Sequence, residues 1–79
     1  MAGIRKYEAV YRSPNFHDNI AYVYFIKAKN DKEAIEIAKN TKPSTPKVEG
    51  WKLAKIMWHY GTIYETEEEQ KLRYTRRLH

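Results

Sequence analysis

The stretch Asn19–Asn40, NIAYVYFIKAKNDKEAIEIAKN, decides the fold. Its first half is aromatic and β-branched, the composition of a strand. Ile20, Tyr22, Tyr24, Ile26 and Ala28 fall on one side of an extended chain, and Ala21, Val23, Phe25 and Lys27 on the other. Both sides are largely apolar, which predicts a central strand over 20–29 with material on both faces or a second chain covering one. The second half changes period. Asn30 and Glu33 have the spacing of a capping box, with Asn where Ser or Thr is usual. Ala34, Ile35, Ile37 and Ala38 then form a narrow apolar stripe at helical spacing. Lys32 and Glu36, four apart, are placed to pair weakly. Asn40 and Pro43 end the helix.

Working outward, Arg5–Arg12 (RKYEAVYR) reads as a first strand. Tyr7, Ala9 and Tyr11 share one face; Lys6, Glu8, Val10 and Arg12 share a mostly polar one. The loop SPNFHDN, 13–19, is dense in turn formers, so the first two strands should form an antiparallel hairpin. Thr41–Glu49 is a short linker within the domain, carrying Lys42 and Lys47. Trp51–Tyr60 (WKLAKIMWHY) is a third strand whose broken alternation fits either a bulge or burial on both faces. Gly61 permits a turn, and Thr62–Glu65 either adds a short fourth strand or continues the third. A connection past the helix to a parallel strand would be right-handed. Thr66 and Glu69 form a second capping box, opening a charged segment whose acids precede its bases, in the sense of the helix dipole. The expectation is an α+β fold: a small three- or four-stranded antiparallel or mixed sheet in the order β-β-α-β, with one helix on one face. Residues 1–64 would form this domain and residues 65–79 a charged C-terminal helix or tail.

Composition bounds what such a domain does. With 79 residues there is one domain and a thin core, and seven Tyr and two Trp suit it because large rings bury much area each. Cysteine is absent, so disulfides and thiolate metal sites are excluded. No apolar run spans a bilayer, and the start MAGIRKYEAV lacks the core of a signal peptide, which points to the cytoplasm. The net charge of +5 favours polyanions or an acidic protein surface and rules out an acidic nucleic-acid mimic. Residues 65–79 hold four acids and four bases, so the excess lies in residues 1–64.

Catalytic signals are weak. His17 beside Asp18 is the right pairing for acid–base work, but nothing adjacent orients the imidazole or excludes water. His59 lies among rings, and His79 is terminal. Glu65 and Glu67–Glu69 diverge around one helical turn, which suits capping better than metal binding. No Gly-rich phosphate loop or nucleophile motif occurs. We therefore expect no enzyme, no metal and no cofactor. The stronger signal is cations interleaved with rings, the mixture that binds phosphates and stacks unpaired bases. The candidate contacts are Arg5, Lys6, Arg12, Lys27, Lys29, Lys52, Lys55, Arg73, Arg76 and Arg77.

The layout YEAVYR…AYVYFIKAKNDKEAIEIAKN…WKLAKIMWHY resembles small phage or mobile-element proteins, among them some anti-CRISPR proteins. The resemblance covers roughly residues 6–60 and implies a binding protein that inhibits or redirects a host machine. It carries no functional residue with it. The expected function is thus a basic binding module for nucleic acid or a ribonucleoprotein. Two alternatives stand beside it: a protein–protein or homodimerising module using an aromatic sheet face, and a small toxin-like ribonuclease using His17, Asp18 or His59.

Overall fold

A computed structural model describes residues 3–14 and 20–71. The chain forms β1 (Arg5–Arg12), β2 (Ala21–Ala28), α1 (Asp31–Asn40), β3 (Lys52–Trp58) and β4 (Gly61–Glu65). The four strands make one antiparallel sheet in the order β2-β1-β3-β4. β2 and β3 both run opposite to β1, so α1 connects two mutually parallel strands across it.

This order corrects one expectation. β2 is an edge strand, not a central one; β1 and β3 hold the centre. The largely apolar pattern of β2 is real, but residues on both of its faces are left in solvent. Ile20, Val23, Tyr24 and Phe25 are 48%, 46%, 41% and 56% exposed. The Ser13 amide donates to the Ile20 carbonyl, in register with the β1–β2 ladder. Counting from that pair, Tyr22, Tyr24 and Ile26 turn their backbone groups toward β1, and Ala21, Val23, Phe25 and Lys27 turn theirs to the free edge.

α1 covers one face of the sheet. Asn30 caps it as expected, its side chain accepting from the Glu33 amide at 2.8 Å. Lys32 and Glu36 do not pair among the described residues. Beneath the helix lie Tyr7, Ala9, Tyr11, Ile26, Ala28 and Ile56, closed over by Ala34 and Ala38. Two phenols tie helix to sheet: Tyr7 donates to Asp31 and Tyr11 to the Ala38 carbonyl, both at 2.8 Å. Most of the rings that the sequence offers as a platform are therefore core, including Trp51, Trp58 and Tyr64 at its margin.

The third strand is irregular as its pattern suggests. Register shifts fall between Val10 and Tyr11 on β1 and between Ile56 and Met57 on β3. Gly61 is not the turn between β3 and β4, however; it is already paired with Trp58. The turn is His59–Tyr60, and both residues have positive φ, 51° and 65°. After β4 the chain becomes helical over 67–71, and the Thr66 hydroxyl accepts from the Glu69 amide at 3.3 Å as in a capping box. The rest of the expected C-terminal helix lies outside the described residues.

Candidate nucleic-acid interface

Strand parity sorts the charges. Lys6, Glu8, Val10 and Arg12 of β1 point away from α1, and their cross-strand partners share that face. Lys6 stands opposite Lys27, Glu8 opposite Phe25 and Met57, Val10 opposite Val23 and Lys55, and Arg12 opposite Ala21 and Lys52. This face therefore holds Lys6, Arg12, Lys27, Lys52 and Lys55, with Val23 and Phe25 between them, Glu8 at its centre and Glu65 of β4 opposite Lys55.

Two of these pairs set like charges side by side. Lys6–Lys27 is a non-hydrogen-bonded pair of the β1–β2 ladder, the type that brings side chains closest. Arg12–Lys52 is the second, at the opposite end of β1. Directly opposed like charges destabilise a sheet by roughly 0.2–1 kcal/mol. Six residues of strand, about 20 Å, separate the two pairs.

Not every cation is available. Arg12 makes a two-pronged contact with Glu69, Nη2–Oε1 at 2.9 Å and Nε–Oε2 at 3.3 Å. Glu69 is itself buried. The segment 67–71 thus closes the Arg12 corner of this face, and the Thr66 amide fastens it to the Ala54 carbonyl at 2.9 Å. Lys6 lies over the Phe25 ring, 4.8 Å from its centroid. Lys27 and Lys52 are exposed and Lys55 half-buried, with no ion pair among the described residues.

The remaining candidates lie elsewhere. Arg5 points to the α1 side, 3.4 Å from Asp31 and 4.4 Å from the centroid of the Trp58 ring. Lys29 is exposed between β2 and α1. Arg73, Arg76 and Arg77 lie outside the described residues, as do His17 and Asp18. Among the described residues, no group of three or more His, Asp or Glu converges to hold a metal. No helix among them is long and apolar enough to cross a membrane.

Sequence reasoning missed the turn. His59 packs edge-on against Trp58, centroids 4.5 Å apart, whereas Tyr60 is 102% exposed. A two-residue hairpin loop with both φ positive favours Asn-Gly, and a left-handed conformation costs about 1–2 kcal/mol at a residue with a Cβ. His is among the residues that tolerate positive φ better than most, but nothing about Tyr60 marks such a turn. Sequence reasoning also missed the partner of Glu69, which lies 57 positions away.

Burial pushes the Tyr7 phenol above its ordinary value, with hydrogen bonding to Asp31 adding to the rise and to Arg5 opposing it. Burial also raises Tyr11, against a lowering hydrogen bond to Thr41. Both remain neutral donors at physiological pH, which keeps α1 fastened.

No protein-family model matches the chain, and no curated protein or solved structure matches it.

Proposed function

We propose that this protein is a non-enzymatic module that binds single-stranded nucleic acid, free or within a ribonucleoprotein, through the sheet face opposite α1. One observation carries the reading: the like-charge pair Lys6–Lys27 at one end, and Lys52, without an ion pair among the described residues, at the other, bound a face whose exposed ring is Phe25. A line of phosphates relieves that repulsion, and unpaired bases find a ring to stack on. A phage-encoded inhibitor of a host nucleic-acid machine such as CRISPR-Cas would use a surface of this kind.

Salt titration of oligonucleotide binding tests it. Four lysine–phosphate contacts give a slope near −3 on logarithmic axes for a single strand. Affinity should therefore fall about 50-fold between about 50 and 200 mM salt. Absence of binding at the lower salt, or binding indifferent to salt, rejects the proposal.

A second reading, association with protein, is favoured by the β2 edge instead of the rings under α1. Residues 20–26 carry no charge, and every second one turns unpaired backbone groups outward. Salt-insensitive dimerisation in sedimentation, without oligonucleotide binding, would favour this reading.

A further inference from the structure

The β3–β4 turn is built against local preference, and its most exposed side chain has no use in the fold. His59 and Tyr60 both hold left-handed backbone where glycine or asparagine is favoured. His59 has a packing role against Trp58. Among the described residues Tyr60 has no ring contact, hydrogen bond or ion pair, and its side chain is fully exposed. A strained backbone that displays an unused ring is a reason to look for a ligand.

The surroundings suggest which one. Glu8 pairs with Met57, so the turn lies level with the start of β1, at the height of Lys6. Lys27, Lys6 and the turn thus form a row across successive strands at one end of the sheet. With strands about 4.8 Å apart, that row is roughly 10–15 Å long. Arg5 does not belong to this row: it lies on the α1 side, over the Trp58 ring and paired with Asp31.

Resting on the nucleic-acid reading above, we infer that Tyr60 is a base-stacking residue. It takes one unpaired nucleobase while Lys6 and Lys27 hold the phosphates alongside. Stacking of this kind accepts every base, because each has a π-face, and requires a strand whose bases are free. The turn thereby selects single strands over duplex, and the lysines supply attraction without that choice.

The test compares Tyr60→Gly and Tyr60→Phe with the wild type, using a short deoxyadenylate oligonucleotide and inorganic polyphosphate as probes. Tyr60→Gly suits the turn, so its urea midpoint should rise, which establishes folding independently of binding. It should lose about tenfold in oligonucleotide affinity, equivalent to about 1.4 kcal/mol, with an unchanged salt slope and unchanged polyphosphate affinity. Tyr60→Phe should bind the oligonucleotide like the wild type. Equal oligonucleotide affinity in Tyr60→Gly and wild type overturns the stacking role while the wild type's salt slope leaves the lysine face standing. An equal loss on both probes overturns it too, because the ring would not be acting through a base. Failure of the wild type to bind either probe removes the face and the turn together.

Discussion

Lys27→Glu should make the protein more stable and a poorer ligand for nucleic acid. Lys27 faces Lys6 in a close cross-strand pair. At about 6 Å, two unit charges in a watery environment interact by about 0.7 kcal/mol. The substitution replaces a repulsion of that size by an attraction of similar size, a swing of about 1 kcal/mol once screening is included. For a domain of this length, 1 kcal/mol shifts the melting temperature by roughly 4–8 °C. Urea denaturation at low and high salt is the assay. The gain should be clear at low salt and largely gone at about 1 M, where the Debye length is about 3 Å. Binding should move the other way: one phosphate contact fewer flattens the salt slope by about 0.7, and the new carboxylate repels the strand further. A variant that is less stable at low salt, or whose stability change ignores salt, would refute the claim that Lys6 and Lys27 oppose each other in the free protein. Unchanged oligonucleotide affinity would refute the use of that repulsion for binding.

Four further outcomes follow from the described contacts and exposures. Glu69→Ala leaves a half-buried Arg12 without its carboxylate and should cost about 1.5–3 kcal/mol in chemical denaturation, and a double-mutant cycle with Arg12→Ala should recover most of that as coupling. In binding, Lys52→Ala should flatten the salt slope by about 0.7, whereas Arg12→Ala should barely change it because Glu69 already neutralises Arg12. Tyr7 and Tyr11 have phenols raised by burial, so the folded state holds their protons longer than the unfolded chain does. Their contribution to stability is complete below the unfolded value of about 10 and is lost as pH rises toward the folded values; ultraviolet titration should show these tyrosinates appearing last, together with unfolding. Finally, Val23→Lys places a charge on the bare β2 edge and should reduce any concentration-dependent self-association seen by light scattering, with little effect on urea stability.

How much of this was legible depends on how local the cause is. The Asn30 cap, the alanine and isoleucine stripe, and the split of β1 into a ring face and a Lys6–Glu8–Val10–Arg12 face are all set within a few residues, and all three could be read directly. The place of β2 in the sheet could not. An apolar pattern on both sides suits a buried strand, but β2 leaves Val23 and Phe25 in water because the chain returns from α1 on the far side of β1. The His59–Tyr60 turn was hidden for a different reason: its backbone demand goes against its residue types, so composition pointed to Gly61 instead. The cations were visible as a list, but their availability was not. Only the tertiary placement of Asp31 and Glu69 removes Arg5 and Arg12 from the free set.

The interface under α1 is smooth. The helix residues fully buried there are Ala34 and Ala38, which have little relief to interlock with a sheet. What indexes the helix along β1 is the pair of phenols, Tyr7 at its first turn and Tyr11 at its last. Four strand residues and seven helix residues bridge the same gap, so α1 cannot slip by a turn without surrendering both anchor points at once. Removing the two hydroxyls would preserve the oily contact and forfeit the alignment, giving a protein that still condenses yet lacks a single seat for its helix.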